Sequence, residues 1–450
     1  MHLDTAARPS PPAPVSLRSA FWYWLKLGCV SFGGPAGQIA MMHAELVEKR
    51  RWISEQRFLH ALNYCMLLPG PEATQLAIYI GWLMHRTRGA IVAGLLFLLP
   101  SLLLLIALSW LYMAYGNVAA VAAILYGVKP AVVAIVLAAG WRLARRTLRS
   151  ASLIAIAAAA FVAIAALHLP FPLIVLGAAV LGMAGGHWLP GHFHTSNTQH
   201  GGAARHGPAL IDDDTPTPAH ARFSWPRLLG TAAVGVALAG LAWLALALLG
   251  GAKQPLAQMA VFFSKAALLT FGGAYAVLPY LYQGAVDHYH WLSAAQMIDG
   301  LALGETTPGP LIMIVAFIGF VGGWGQAAAI TGGQPWLAGL CGALVTAWFT
   351  FLPSFIFILA GAPLVEASRG NLRLSAPLTA ISAAVVGVIA SLALFFGRHV
   401  FWQESAQPHW DWPAIAIAAV AAVALIKFQI GTIKLLLACA IAGLVLSDLS

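Results

Sequence analysis

Ser31-Phe32-Gly33-Gly34 and Pro69-Gly70-Pro71 combine residues that break a helix with residues that let an anion reach the backbone. A helix that begins inside a membrane presents unpaired N–H groups and the positive end of its dipole. Proline suits the first turn of such a helix, and glycine lets an oxyanion approach the amides closely. Both stretches recur. Thr270-Phe271-Gly272-Gly273 and Pro308-Gly309-Pro310 follow at a constant interval of 239 residues, with Lys26 and Trp52 repeated as Lys265 and Trp291. A gap-free register over about 45 residues, fixed at Gly and Pro positions, marks a tandem duplication. Repeated hydrophobic segments interrupted by Gly and Pro point to a transporter's binding site. Pro71 and Pro310 would open two half-helices, and the Gly33-Gly34 and Gly272-Gly273 pairs would shape two more tips. Together the tips would hold a tetrahedral dianion on the amides of Gly33, Gly34, Gly70, Gly272, Gly273 and Gly309. Helix breaks that serve close packing alone are the plainer alternative.

Charged residues stand beside these motifs. Lys26 and Lys265 each lie five residues before the Ser or Thr of the Phe-Gly-Gly motif. A charge at the bilayer centre costs roughly 2.5–3.5 kcal/mol on insertion scales, so both are candidate substrate ligands; snorkelling to the interface is the alternative. Glu72 follows the first Pro-Gly-Pro, whereas Glu305 precedes the second by three residues, and their repeat equivalents are Leu311 and Met66. A carboxylate withdrawn from water suits proton coupling, although an acid at a helix N-terminus also serves as a cap. Lys129 precedes Pro130 in an apolar run and has no basic counterpart. Asn63, Thr74, Gln75, Ser31, Thr270, Thr306 and Thr307 offer neutral hydrogen bonds, to substrate or between helices. His43 and His60 read as hairpin-end residues, and Trp52 and Trp291 as anchors in the aromatic belts at the membrane surface.

The elements that must position these residues are membrane helices. Of 450 residues, 60% are hydrophobic and 9% charged, against about 25% charged in soluble domains. Apolar runs appear at Gly89–Tyr115, Val118–Ala139, Ala151–Leu169 and Leu173–Met183, and again at Leu228–Leu249, Leu337–Gly361, Pro377–Phe396, Ala414–Ile426 and Leu435–Leu446. Rich in Ala, Leu, Val, Ile and Gly, they suit an all-α polytopic membrane protein better than a barrel. The net charge of +9 sits in short loops between spans, where positive-inside bias places it, and argues against nucleic-acid binding. Cys29, Cys65, Cys341 and Cys439 lie singly in apolar surroundings as packing residues.

Residues 1–20, Pro-rich and polar, read as a disordered arm without the features of a cleavable signal peptide. The first repeat spans 21–186. A linker at 187–226, rich in His, Gly, Pro and Thr, reads as disordered, and its histidines show no repeated metal-ligand spacing. A linking span follows at 227–250, and the second repeat occupies 251–450. Downstream the register continues at an interval of 253, pairing Pro100-Ser101 with Pro353-Ser354. That places a 14-residue insertion around Gly322–Gln334. Lys49, Arg50, Arg51 and Arg57 mark one first-repeat loop, whereas its equivalent, Tyr282–Gln296, has no Lys or Arg. Arg142, Arg145, Arg146 and Arg149 likewise face a stretch with only Arg398. Equivalent loops on opposite sides make the repeats inverted. Basic flanks on both sides of Phe21–Met42 and His60–Leu83 suit re-entrant helical hairpins.

Ser31-Phe32-Gly33-Gly34-Pro35, Trp52, Leu67-Leu68-Pro69-Gly70-Pro71-Glu72 and Gln75-Leu76-Ala77 resemble the chromate ion transporter family, and Thr270-Phe271-Gly272-Gly273 with Glu305-Thr306-Thr307-Pro308-Gly309-Pro310 is similar to its other half. The resemblance implies a long-chain, two-domain carrier of the bacterial inner membrane that exports chromate, gives chromate resistance and is driven by the proton gradient. It implies no cofactor. Sulfate, to which related members are linked, is the alternative substrate, and a homodimer is left open. A membrane-embedded enzyme is the rival from another class; no His-x-x-x-Asp, Asp-x-x-Asp or His-Glu-x-x-His motif supports it.

Overall fold

The same helix breaks, caps and left-handed residues occur twice along the backbone. The computed structural model describes residues 12–32, 34–116, 118–188, 208–216, 218–271, 273–367, 375–403 and 409–449. Gly33 and Gly272 lie outside the described residues, as do 1–11 of the expected arm and 189–207 and 217 of the expected linker.

In the first repeat, α1 (Leu17–Val30) breaks at Ser31, and α2 (Gly34–His43) runs into a single wide turn at Ala44–Lys49. Next come α3 (Glu55–Leu67), α4 (Glu72–Tyr115), α5 (Ala119–Thr147), α6 (Ala151–Ala165) and α7 (Phe171–Trp188). The linking helix is α8 (Trp225–Gly250). The second repeat begins with α9 (Pro255–Leu269), α10 (Ala274–Tyr282), a wide turn at Gln283–His288, and α11 (Ala294–Thr306). It continues through α12 (Ile314–Gly325), α13 (Ala327–Thr331), α14 (Pro335–Ala367), α15 (Ser375–Phe401), α16 (Trp412–Ile426) and α17 (Thr432–Leu449). A two-residue antiparallel strand pair, Trp402–Gln403 with His409–Trp410, precedes α16. Among the described residues, six helices are long and apolar enough to cross a membrane. The chain is an all-α polytopic membrane protein.

Local chemistry explains the matched boundaries. Ser54 caps α3, and Ser293, 239 residues on, caps α11 with Gln296 completing a capping box. Gly34 and Gly273 take φ of +70° and +101°, and Gly70 and Gly309 take +125° and +102°, a region that glycine enters without steric cost. The long α4 is two limbs joined at His85 and Arg86, the latter at φ +57°. Gly81 and Gly89 let those limbs pack backbone to backbone as a hairpin. In the second repeat α13 and the Gly332-Gly333 turn replace that kink, where the insertion was expected. Gly319 and Gly342 there repeat the close backbone approach.

The later helices cross between repeats. α5 packs on α16 and α17, and α15 reciprocally on α6 and α7. Gly127 of α5 and Gly443 of α17 bring their backbones together, as Gly182 of α7 does with the backbone of Ala376 and Pro377 of α15. Each half thus completes the other's core.

Two boundaries differ from the sequence reading. α1 starts at Leu17, capped by Ser16, so the ordered chain reaches into the expected arm. The described end of the linker is no free tether either. Ile211 bridges Ile53, Ser54 Oγ donates to Asp213, Arg57 Nη2 donates to the Thr215 carbonyl, and His220 meets the Trp82 carbonyl. Backbone and side-chain bonds to the first repeat supply the ordering that its polar composition lacks.

Candidate functional site

The broken-helix tips of the two repeats meet and exchange hydrogen bonds. The Gly70 amide donates to the Thr270 carbonyl at 2.7 Å, and the Gly309 amide donates to the Ser31 carbonyl at 2.8 Å. Gly70 and Gly309 are equivalent, as are Ser31 and Thr270, so one contact is made twice across a pseudo-two-fold axis. Phe32 and Phe271, half-buried beside these tips, each close a tight turn by donating to the carbonyl two residues back (3.0 Å in both).

Serines following helical prolines close on the same point. A methyl group at Gly309 would lie 2.5 Å from Ser101 Cβ, and one at Gly70 would lie 2.7 Å from Ser354 Oγ. Each serine comes from the opposite repeat. Pro100-Ser101 and Pro353-Ser354 had been legible as a repeated pair; their destination was not. Gln38 Nε2 donates to the carbonyls of Ser31 and Gly309, and Gln75 Nε2 donates to that of Pro69 at 2.7 Å.

Several buried polar atoms here have no protein partner among the described residues: Ser31 Oγ, Gln38 Oε1, Thr74 Oγ1, Gln75 Oε1 and Ser101 Oγ. The three hydroxyls are donors withdrawn from water, and leaving each unmade costs about 1–3 kcal/mol. Helix ends add more donors. Pro71 heads α4 and Gly273 heads α10 with no side-chain cap, which leaves first-turn amides for a ligand, although that of Ala276 donates to the Gly273 carbonyl at 3.1 Å.

Expected ligands divide accordingly. The Gly70 and Gly309 amides are spent joining the repeats, because each donates to the nearest carbonyl of the other tip. Thr270, Thr306 and Thr307 hydroxyls donate within their own helices, to the carbonyls of Ala266, Leu303 and Gly304. Pro71, Pro308 and Pro310 are buried and Pro69 half-buried, all within the crossing. Lys26, Lys265 and Asn63 are not brought in; all three are exposed.

The Tyr275 hydroxyl donates to Glu305 Oε1 at 2.5 Å. Arg142 and Arg146, one turn apart on α5 and both exposed, exert only a longer-range pull on Glu305 and Glu72 and form no ion pair with either among the described residues. Sequence reading used this pair only as an orientation marker, since its spacing on α5 does not say what α5 packs against.

A second polar cluster was missed. Asp299 on α11 is 3% exposed; Lys129 Nζ lies 3.3 Å from its Oδ1, and the Tyr112 hydroxyl donates to Oδ2 at 2.9 Å. An acid inside an apolar helix was the available signal. At the equivalent position on α3, His60 Nε2 meets the Val365 carbonyl at 3.2 Å. His43 is held between Glu48 and Glu55. Trp52 and Trp291, expected in the aromatic belts, are buried instead. Tyr23 and Arg50 cover Trp52, and Phe263 and Tyr289 stack on Trp291, so aromatic packing rather than the membrane surface holds them.

The chromate transporter family model matches residues 18–183 and again 257–444. The chain belongs to the chromate transporter family. The chromate transport protein of Cupriavidus metallidurans is 30% identical over 434 residues, covering 94% of this chain and 92% of that protein. That of Pseudomonas aeruginosa is 33% identical over 389 residues, 85% of this chain and 82% of its own length. No solved structure matches this chromate transporter family member.

Proposed function

We propose that the protein is a secondary active transporter that exports chromate across the bacterial inner membrane, coupled to protons, and so gives chromate resistance. One observation carries this: four broken-helix tips, two per repeat, converge on buried donors that the protein leaves unpartnered. Ser31, Thr74 and Ser101 hydroxyls and the first-turn amides of α4 and α10 would receive the oxyanion. Arg142 and Arg146 add only a longer-range pull. Membership of the family supports chromate as the cargo. An inside-negative potential favours outward movement of a dianion by about 4.6 kcal/mol per 100 mV, twice the value for a single charge.

Glu72 stands in the first turn of α4, where the oxyanion would also sit. Protonating it removes a negative charge from that helix end, which links proton uptake to anion binding. Glu305 would play this part for the other repeat, and inverted repeats rocking about the shared tips would give alternating access. Sulfate, another tetrahedral dianion, is the second reading.

Flux of radiolabelled chromate into inverted vesicles, with and without a proton gradient, tests the assignment, and counterflow with each anion separates chromate from sulfate. Glu72→Gln is expected to flatten the pH dependence of flux while leaving folding intact; an unchanged pH profile returns Glu72 to a capping role. Reporter fusions at Lys49 and Asp287 should fall on opposite membrane faces, and a shared face would remove the inverted topology.

A further inference from the structure

α8 touches the rest of the protein thinly: Gly235 is its one buried residue among those described. Between it, the 87–115 limb of α4 and α14 lies a cavity of about 1050 Å³, walled by residues such as Leu95, Leu99, Val234, Leu238, Trp348 and Phe355. Those walls are aliphatic and aromatic. The mouth is cationic, with Arg86 and Arg227 beside His220.

Arg227 Nη1 donates to the His220 carbonyl at 3.5 Å, and Arg86 lines the same mouth. His220 Nε2 meets the Trp82 carbonyl at 3.1 Å. Burial, and then the two arginines, hold its pKa below the usual value, so the ring stays neutral near pH 7. Arg227 occupies the first turn of α8, the end that already carries the positive pole of the dipole, and the capping residue Ser224 makes no side-chain bond to the amides there. Along α8 the groove runs from Arg227 to Leu238. That is about 16 Å at 1.5 Å per residue, close to the depth of one leaflet, roughly 15 Å.

We propose that this cavity binds one anionic phospholipid, its phosphate between Arg86 and Arg227 at the start of α8 and its acyl chains in the groove against α4 and α14. An inorganic anion would leave the apolar walls unused. A zwitterionic lipid would bring its own cation to two arginines.

The test titrates delipidated full-length protein in detergent with phosphatidylglycerol or phosphatidylcholine of the same chains, read by native mass spectrometry and thermal unfolding. Expected are one retained phosphatidylglycerol per chain, a rise in Tm of several degrees, and at least tenfold weaker binding of phosphatidylcholine. Arg86→Ala with Arg227→Ala should lower phosphatidylglycerol affinity at least tenfold, whereas the paired Lys substitutions keep most of it. Val234→Trp fills the groove from an exposed position and should lose binding with both arginines in place; it decides the matter should the alanine pair fold poorly. Equal affinity for both lipids, unaltered binding in Val234→Trp, or the same Tm rise from millimolar inorganic phosphate would overturn the proposal.

Discussion

In the middle of α3, the His60 ring meets a backbone carbonyl near the end of α14; at the equivalent place on α11, Asp299 is held by Lys129 and Tyr112 from α5 and α4. The partners correspond as well: Val365 takes the place of Tyr112, and Ser382 that of Lys129. At the tips the opposite holds. Gly70 and Gly309 share a backbone conformation and a reciprocal bond, and Ser101 and Ser354 approach them alike. Duplication has preserved the backbone where the repeats cross and let charge diverge away from the crossing. On the proposed reading, a symmetric centre with asymmetric surroundings would offer an anion similar backbone contacts from both repeats while making the two ends respond differently to protons.

The largest effect should come from the centre. Gly70→Ala and Gly309→Ala each force a side chain into a positive-φ residue, at about 1–2 kcal/mol or more, and into contact with Gln75 Nε2 or Ser101 Cβ. Both are expected to lower chromate flux at least tenfold at matched membrane levels. A tolerated substitution at one glycine alone would break the symmetry argued for the crossing.

An intermediate effect is expected at the divergent sites. Asp299→Asn strips Lys129 of its counter-charge. Its cost should be roughly 2–3 kcal/mol, less than the 3–5 kcal/mol of a fully buried pair, because the Lys129 side chain is 30% exposed. His60→Ala loses one hydrogen bond, about 0.5–1.5 kcal/mol. Thermal unfolding in detergent compares them, and equal losses would erase the contrast between the two ends.

The smallest effect sharpens the comparison within the tips. The Ser31 hydroxyl has no partner among the described residues, whereas that of Thr270 donates to the Ala266 carbonyl. Ser31→Ala should therefore raise the KM for chromate several-fold and leave Tm unchanged. Thr270→Val should lower Tm slightly with KM unaltered. The reverse pattern would move the anion site to the second repeat's tip.

Much of the crossing was legible because Gly and Pro encode backbone geometry directly: the four breaks and the Pro-Ser pairs follow from residue type and interval. What joins them was not legible. No local pattern reveals that the Gly70 amide will be taken by a carbonyl 200 residues away, so these amides read as free for an anion. Lys26 and Lys265 drew notice as charges in apolar runs, but a run does not say which face of α1 or α9 is outward. Arg142 and Arg146 were hidden by the opposite error, since basic residues after a span read as topology signals. Trp52 and Trp291 were misplaced because a core tryptophan and a belt tryptophan look alike in a sequence.

The exchanged amides also govern the order of biogenesis. When residue 70 enters the bilayer its acceptor has not been synthesised, and at about 5–20 residues per second the ribosome delivers Thr270 on the order of 10–40 s later. Until then the first repeat waits in the lipid with an unmet donor at its centre. It stays a half-built scaffold, and its completion is postponed to the emergence of the second copy.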